Sequence, residues 1–235
     1  MRYAVFFSPP KDHPLTRKAS AWLGRDAFSG APLQQPAVPG LDAGDWADLT
    51  AAPRRYGFHG TLKAPFRLAD GTNREELMAS FHAFCEGAEP VGGLGLTVAR
   101  LGRFFALVPA VPSPALNALA DNVVRHFEPF RAAIGAAEIA RRRPDALTPA
   151  ERRNLKEWGY PYIFDAFRFH MTLTGPVDEK HAPGIKAILK QWFDPVLGEP
   201  VAVSGLSLFV EPEQDAPFHV LAYEPFRVSA ARKTA

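Results

Sequence analysis

One cysteine, Cys85, is all that the 235 residues contain. That excludes an intramolecular disulfide and any cysteine-rich metal site, and it fits a reducing compartment. Charge of one sign is scarce as well. Lys and Arg number 27 and Asp and Glu 25, for a net charge of +2. Bulk electrostatics therefore gives no argument for a nucleic-acid coat protein, although a local basic surface stays open. No apolar run approaches the ~18 residues of a membrane span. The opening MRYAVFFSPP is broken by Pro9 and Pro10 before it reaches signal-peptide length. A cytoplasmic protein with no membrane partner is expected. H-E-x-x-H, Cys/His clusters and G-x-x-x-x-G-K-[ST] are also missing. Zinc-hydrolase and P-loop readings thus lack support, and neither a metal nor a cofactor is expected.

What is present is a core and a repeat. Hydrophobic residues make up 47% and charged residues 22%, the profile of a globular protein. Two phrases match: YGFHGTLKAPF from Tyr56, and FRFHMTLTGPV from Phe167. Each reads aromatic, His, any residue, Thr, Leu, then a short run to Pro. A single H-x-T is most often chance, and a lone His most often a satisfied core residue. The repetition of the surroundings changes that balance.

Both phrases alternate with the period of a strand. Phe58, Gly60 and Leu62 share one side; His59, Thr61 and Lys63 share the other. In the second copy Phe167, Phe169, Met171 and Leu173 oppose Arg168, His170, Thr172 and Thr174. A polar face carrying His and Thr together is costly to bury, so a cleft is its natural place. Each phrase precedes an amphipathic helical stretch: Leu77, Met78, Phe81, Phe84 and Cys85 in the first, with Thr72 and Glu75 at capping-box spacing, and Ile185, Ile188, Leu189, Trp192 and Phe193 in the second. Two strand-like runs follow each helix. Strand, helix and hairpin recur in one order at nearly one spacing, the mark of an internal duplication.

Around these units, MRYAVFFS reads as a strand and HPLTRKASAWLG as a short helix. Residues 29–53, rich in Pro, Gly and Ala, read as a long loop. SPALNALADNVVRHF reads as a helix starting at Ser113, and TPAERRNLKEWG as one boxed by Thr148 and Glu151 and ended by Gly159. The expected class is α+β. One bilobal domain spans 1–235, with pseudo-symmetric α/β lobes at 1–130 and 160–235 and a helical insertion at 131–159. Antiparallel sheets flank a central cleft. Arg141, Arg142 and Arg143 lie in the insertion, either as a solvated face or reaching over the cleft.

The paired HGTL and HMTL strands resemble the two-histidine (2H) phosphoesterases, and LTPAERRNLKEWGYPYIFDAFRFHMTLTGPV resembles the branch encoded with phosphonate-utilisation genes. The resemblance covers essentially the whole chain. It implies a bilobal α/β fold and metal-independent chemistry on cyclic phosphates or RNA-end phosphodiesters, with His59 and His170 catalytic. Thr61 and Thr172 match the phosphate-binding positions.

The chemistry can also be built from the residues. Hydrolysis of a cyclic phosphodiester needs an activated water, a proton for the departing oxygen, and donors for the non-bridging oxygens, with nucleophile and leaving group in line. A neutral His and a protonated His meet the first two needs, because the unperturbed pKa is about 6.5. A Thr hydroxyl two residues on can donate to phosphate. Lys63 and Arg168 are candidates for further phosphate contact or are plain surface charges; Arg54 and Arg55 are weaker candidates on the incoming loop. Tyr160 and Tyr162 either stack on a base or sugar or pack against Pro161. The expected partner is a small phosphorylated or cyclic-phosphate substrate, with a nucleotide or RNA end left open. The competing reading is a module that binds such a ligand without turnover. Two groups that titrate near neutrality favour the enzyme, since binding alone calls for cations.

Overall fold

The computed structural model describes residues 1–227, and its class is α+β. Nine strands and seven α-helices follow in chain order: β1 (Arg2–Phe7), α1 (Pro14–Leu23), α2 (Ala43–Tyr56), β2 (Gly60–Phe66), α3 (Arg74–Gly87), β3 (Val91–Leu94), β4 (Leu96–Leu101), β5 (Phe104–Pro109), α4 (Pro114–His126), α5 (Ala136–Arg141), α6 (Pro149–Trp158), β6 (Met171–Thr172), α7 (Ala182–Leu197), β7 (Val201–Val203), β8 (Gly205–Glu211) and β9 (His219–Pro225).

Seven strands form one antiparallel sheet in the order β4-β5-β6-β2-β1-β8-β9; β3 and β7 form a separate pair. The strands of the two halves thus meet edge to edge, and their junction is the pair Gly60–Met171 between the two H-x-T segments. Chain order and sheet order differ. The first-half hairpin β4–β5 lies against β6, and the second-half hairpin β8–β9 reaches β2 through β1. The helices cross over too: α3 packs on β8 and β9, and α7 on β4. One face of the sheet carries the main core, including Tyr3, Val5, Phe7, Leu62, Phe81, Phe105, Leu107, Phe127, Met171 and Leu208. A small second cluster of Ala4, Phe6, Ala27, Phe209 and Phe218 lies apart from it.

Two local expectations need correction. Residues 43–56, inside the stretch expected as loop, are helix α2. Asp42 caps it by accepting from Gly44 N, and Trp46, Thr50 and Pro53 are buried. Pro53 hid the helix, because a proline cannot donate to the carbonyl four residues back. That carbonyl, Leu49 O, instead accepts from Gly175 N at 2.6 Å, tying α2 to the end of the second motif. The box on α3 is formed by Asn73 and Glu76 rather than Thr72 and Glu75; the Thr72 hydroxyl donates to Ala69 O. The boxes and caps expected for α4 and α6 are as read: Ser113, then Thr148 with Glu151 and a left-handed Gly159.

Candidate active site

Antiparallel register around Gly60–Met171 sets His59 opposite Thr172 and Thr61 opposite His170. Directly opposed residues place their Cβ atoms about 5 Å apart and diagonal ones about 7–8 Å apart. All four side chains therefore share one face, with the two imidazoles on one diagonal and the two hydroxyls on the other. Gly60 permits this close pairing: a Cβ there would lie 2.5 Å from the Phe169 ring. Each motif meets the core through its other face, where Phe58, Leu62, Phe169, Met171 and Leu173 are buried.

The two rings are oriented alike. His59 Nδ1 lies 2.9 Å from Gly57 O, and His170 Nδ1 lies 2.7 Å from Arg168 O, each a carbonyl two residues back. A carbonyl only accepts, so Nδ1 carries the proton in both, and both Nε2 atoms are left for chemistry. Gly57 reaches its place with φ +76°, where a Cβ would strike Ala27 Cβ at 2.4 Å. The His59 ring stacks on Phe6 at 4.0 Å and against Tyr56 at 5.8 Å, with Phe209 at 6.0 Å. Burial, with a smaller contribution from His170 and against the pull of Gly57 O, lowers the His59 pKa to about 4. The His170 ring is flanked by Phe104 at 5.8 Å. A cavity of about 250 Å³ opens here, lined by Tyr56, His59, Phe104, Thr172 and Pro176 among others. Its walls suit the apolar flank of a sugar or a base.

Lys63 is not on this face. The register steps from Phe6–Thr61 to Val5–Lys63, so one extra residue of β2 is accommodated between them. Such a bulge re-aims the side chain that follows. Lys63 is 3% exposed; it donates to Val124 O at 3.0 Å and pairs with Glu128, which also binds Arg131. Strict alternation was the wrong rule here, and a strand with proline at Pro65 was a warning. Arg55, in the last turn of α2, pairs with Glu211, which Arg2 also holds. Burial alone would raise the Glu211 pKa, but hydrogen bonding and charge from Arg2 and Arg55 outweigh it and hold it low. Arg54 binds Leu23 O and the Thr50 hydroxyl. Arg168 is exposed and folds back onto Asp165 O and Phe167 O. Thr174, on the polar side of the alternation, is occupied by Phe105 N and Gly175 O.

Tyr160 sits edge-on to Tyr162 at 5.7 Å, and Arg142 lies over the Tyr160 ring at 5.0 Å. Tyr162 is exposed. Glu138 and Arg141 of α5 line a cavity of about 260 Å³ with Arg2, Arg67 and Glu211. Arg2 and Glu211 share the parity of Phe6 and Phe209 on β1 and β8. Helix α5 of the insertion therefore lies beside the Arg2–Glu211 end of the face that carries His59.

Tyr56, Phe6 and Phe104 were not singled out from sequence. Alternation within RFFALV does set Phe104 and Ala106 opposite Phe105 and Leu107, and only the second pair is core cluster. No signal of that kind marks Phe6, whose role depends on the β1–β2 pairing.

A family model described as "Protein of unknown function (DUF1045)" matches residues 61–219. The chain belongs to the DUF1045 family. It is also 38% identical over 221 residues to a protein of Janthinobacterium sp. (strain Marseille) named "Ribose 1,5-bisphosphate phosphokinase PhnN", covering 92% of this chain and 49% of that one. A protein of the same name from Laribacter hongkongensis (strain HLHK9) is 38% identical over 220 residues, covering 94% and 50%. This DUF1045 chain spans about half the length of these relatives.

Proposed function

We propose that this protein is a metal-independent phosphodiesterase of the two-histidine type that opens a cyclic phosphate on a phosphorylated ribose. The observation that carries the reading is the register-locked quartet: two His with free Nε2 atoms and two Thr hydroxyls on one face. His59, held neutral by burial, serves as the base. Its Nε2 takes a proton from water as the water oxygen bonds to phosphorus. The bond from phosphorus to one ring oxygen breaks, and His170, protonated at Nε2, gives that oxygen its proton. Thr61 and Thr172 donate to the non-bridging oxygens, so charge is met where it develops. After turnover His59 is protonated and His170 neutral, and solvent exchange resets both.

The relatives' name supplies the sugar. That name describes a phosphokinase, a different kind of enzyme. This chain has no G-x-x-x-x-G-K-[ST] run, and we assign the kinase name to the half of the relatives that it does not match. Opening a 1,2-cyclic phosphate of ribose 5-phosphate at O2 leaves ribose 1,5-bisphosphate, the compound in that name. A part in phosphonate utilisation follows from the family resemblance and the relatives' PhnN designation. The test is a panel of cyclic ribose phosphates and 2′,3′-cyclic nucleotides with chelator present. Turnover of a ribose cyclic phosphate supports the proposal; saturable binding without product on every compound rejects it.

A further inference from the structure

The two H-x-T segments are held by different means. Thr61 lies inside β2, a strand of seven residues, and pairs with Phe6. Thr172 ends β6, a strand of two residues, which meets β5 through Met171–Leu107 and Thr172–Ala106. The next rung would join Leu173 to Phe105, and it is only half made. Leu173 N donates to Phe105 O at 2.9 Å. In a regular antiparallel rung Phe105 N would return a bond to Leu173 O. It donates instead to the Thr174 hydroxyl at 2.9 Å, and that hydroxyl donates to Gly175 O at 2.8 Å. Leu173 O is taken by the indole of Trp22 at 2.8 Å. Trp22, Leu173 and Thr174 are all buried, so the exchange leaves each backbone group of the broken rung with a partner, as burial demands. The chain then turns off the sheet, and Thr172, Thr174, Gly175 and Pro176 form one wall of the cavity beside His59. Phe105 follows Phe104, whose ring flanks His170, so the bond from Phe105 N holds both borders of the site.

We propose that Thr174 is a positioning residue: it supplants the Leu173 carbonyl as acceptor for Phe105 N, ends the β5–β6 ladder directly after Thr172, and so fixes the aim of the Thr172 hydroxyl. This rests on the phosphodiesterase reading, in which Thr172 donates to a non-bridging oxygen. The Thr174 hydroxyl is spent on backbone at both ends, one bond accepted and one donated, so it acts on the reaction through Thr172 alone. A valine has the same shape and can do neither. Aim matters because a hydrogen bond weakens steeply off its axis, and Thr172 has no long strand of its own to hold it.

The experiment uses the full chain and the best substrate of the cyclic-phosphate panel. Thr174→Val should lower kcat by about 10- to 100-fold, the scale of a misplaced or missing donor, with KM within about threefold of wild type. Thr174→Ser keeps the hydroxyl and should hold kcat within about threefold. In a Thr172→Ala background Thr174→Val should cost less than about threefold more, because the group it misplaces is gone. Wild-type kcat in Thr174→Val, equal losses in the Val and Ser variants, or losses that multiply in the double variant overturn the proposal. Should Thr174→Val not fold, Thr174→Ala is read against the same outcomes. Should no compound turn over, the phosphodiesterase reading fails, and crystal structures of the Val and Ser variants still decide the positioning role. A Thr172 side chain displaced in Val and in place in Ser supports it; an unmoved Thr172 in both overturns it.

Discussion

His59 illustrates how a single side chain is assigned its task. Its ring is walled by Phe6, Tyr56 and Phe209, and only the Gly57 carbonyl favours its charged form. Being neutral suits a base and disqualifies an acid. His59→Ala and His170→Ala should each lower turnover by roughly 10²–10⁴, measured on the best substrate of the cyclic-phosphate panel. A wild-type rate in either variant would remove that His from the mechanism. The low pKa also has a consequence for stability. The unfolded His59 titrates near 6.5 and the folded one near 4, so between these values the unfolded state binds more protons. Stability should therefore fall as pH drops through that window. His59→Phe, which keeps the stack on Phe6, should lose less stability than wild type over the same range. Parallel melting curves from pH 7 to 4 make the comparison, and identical slopes would contradict the assigned pKa.

At the scale of elements, a bulge decides what β2 offers on each side. Thr61 stays beside His59, while Lys63 turns inward to Glu128 and the end of α4. Lys63→Met should cost about 1–3 kcal/mol in denaturant unfolding, because a partly buried carboxylate loses one of its two cations. Its kcat/KM should stay within about threefold of wild type. A hundredfold loss of activity at unchanged stability would return Lys63 to the cleft. Gly60 is the opposite case, since every consequence there is positional. Gly60→Ala must displace Phe169 or separate the strands, and because the two H-x-T segments touch through this residue, activity should fall along with stability. The melting temperature and kcat of this variant are the measurements; retention of both would mean that β6 can shift without consequence.

For the whole molecule, the crossed hairpins determine what can be separated. The β4–β5 hairpin completes its ladder on β6, β8 pairs with β1, and α3 and α7 each cover strands of the other half. Residues 1–130 and 160–235 expressed separately should each expose a broken sheet and a bare helix face, and so aggregate. A soluble, cooperatively melting fragment would show that the halves are independent lobes. Metal dependence also belongs to this scale. Among the described residues no three His, Cys, Asp or Glu side chains converge, and in the proposed mechanism the quartet handles both proton transfers and supplies the hydroxyl donors. Turnover should survive exhaustive chelation and follow a bell-shaped pH profile. Loss with chelator and recovery with a divalent cation would replace the two-histidine mechanism with a metal-assisted one.

The sequence alone determined whatever depends on neighbours along the chain. The period-two alternation put His59 with Thr61 and His170 with Thr172, and the repeated phrase set those pairs apart from chance. Capping residues marked α4 and α6, because a cap bonds to backbone within its own first turn. Tertiary structure decided whatever depends on two segments meeting. The pairing of Gly60 with Met171 made two H-x-T strands into one quartet. The bulge that removed Lys63 exists only relative to β1. Helix α2 was obscured by Pro53, whose orphaned Leu49 carbonyl is satisfied by Gly175 from more than a hundred residues away. The seat of α5 beside Arg2 and Glu211 likewise follows from tertiary packing, since a run of arginines carries the same local signal whether it faces solvent or a cleft.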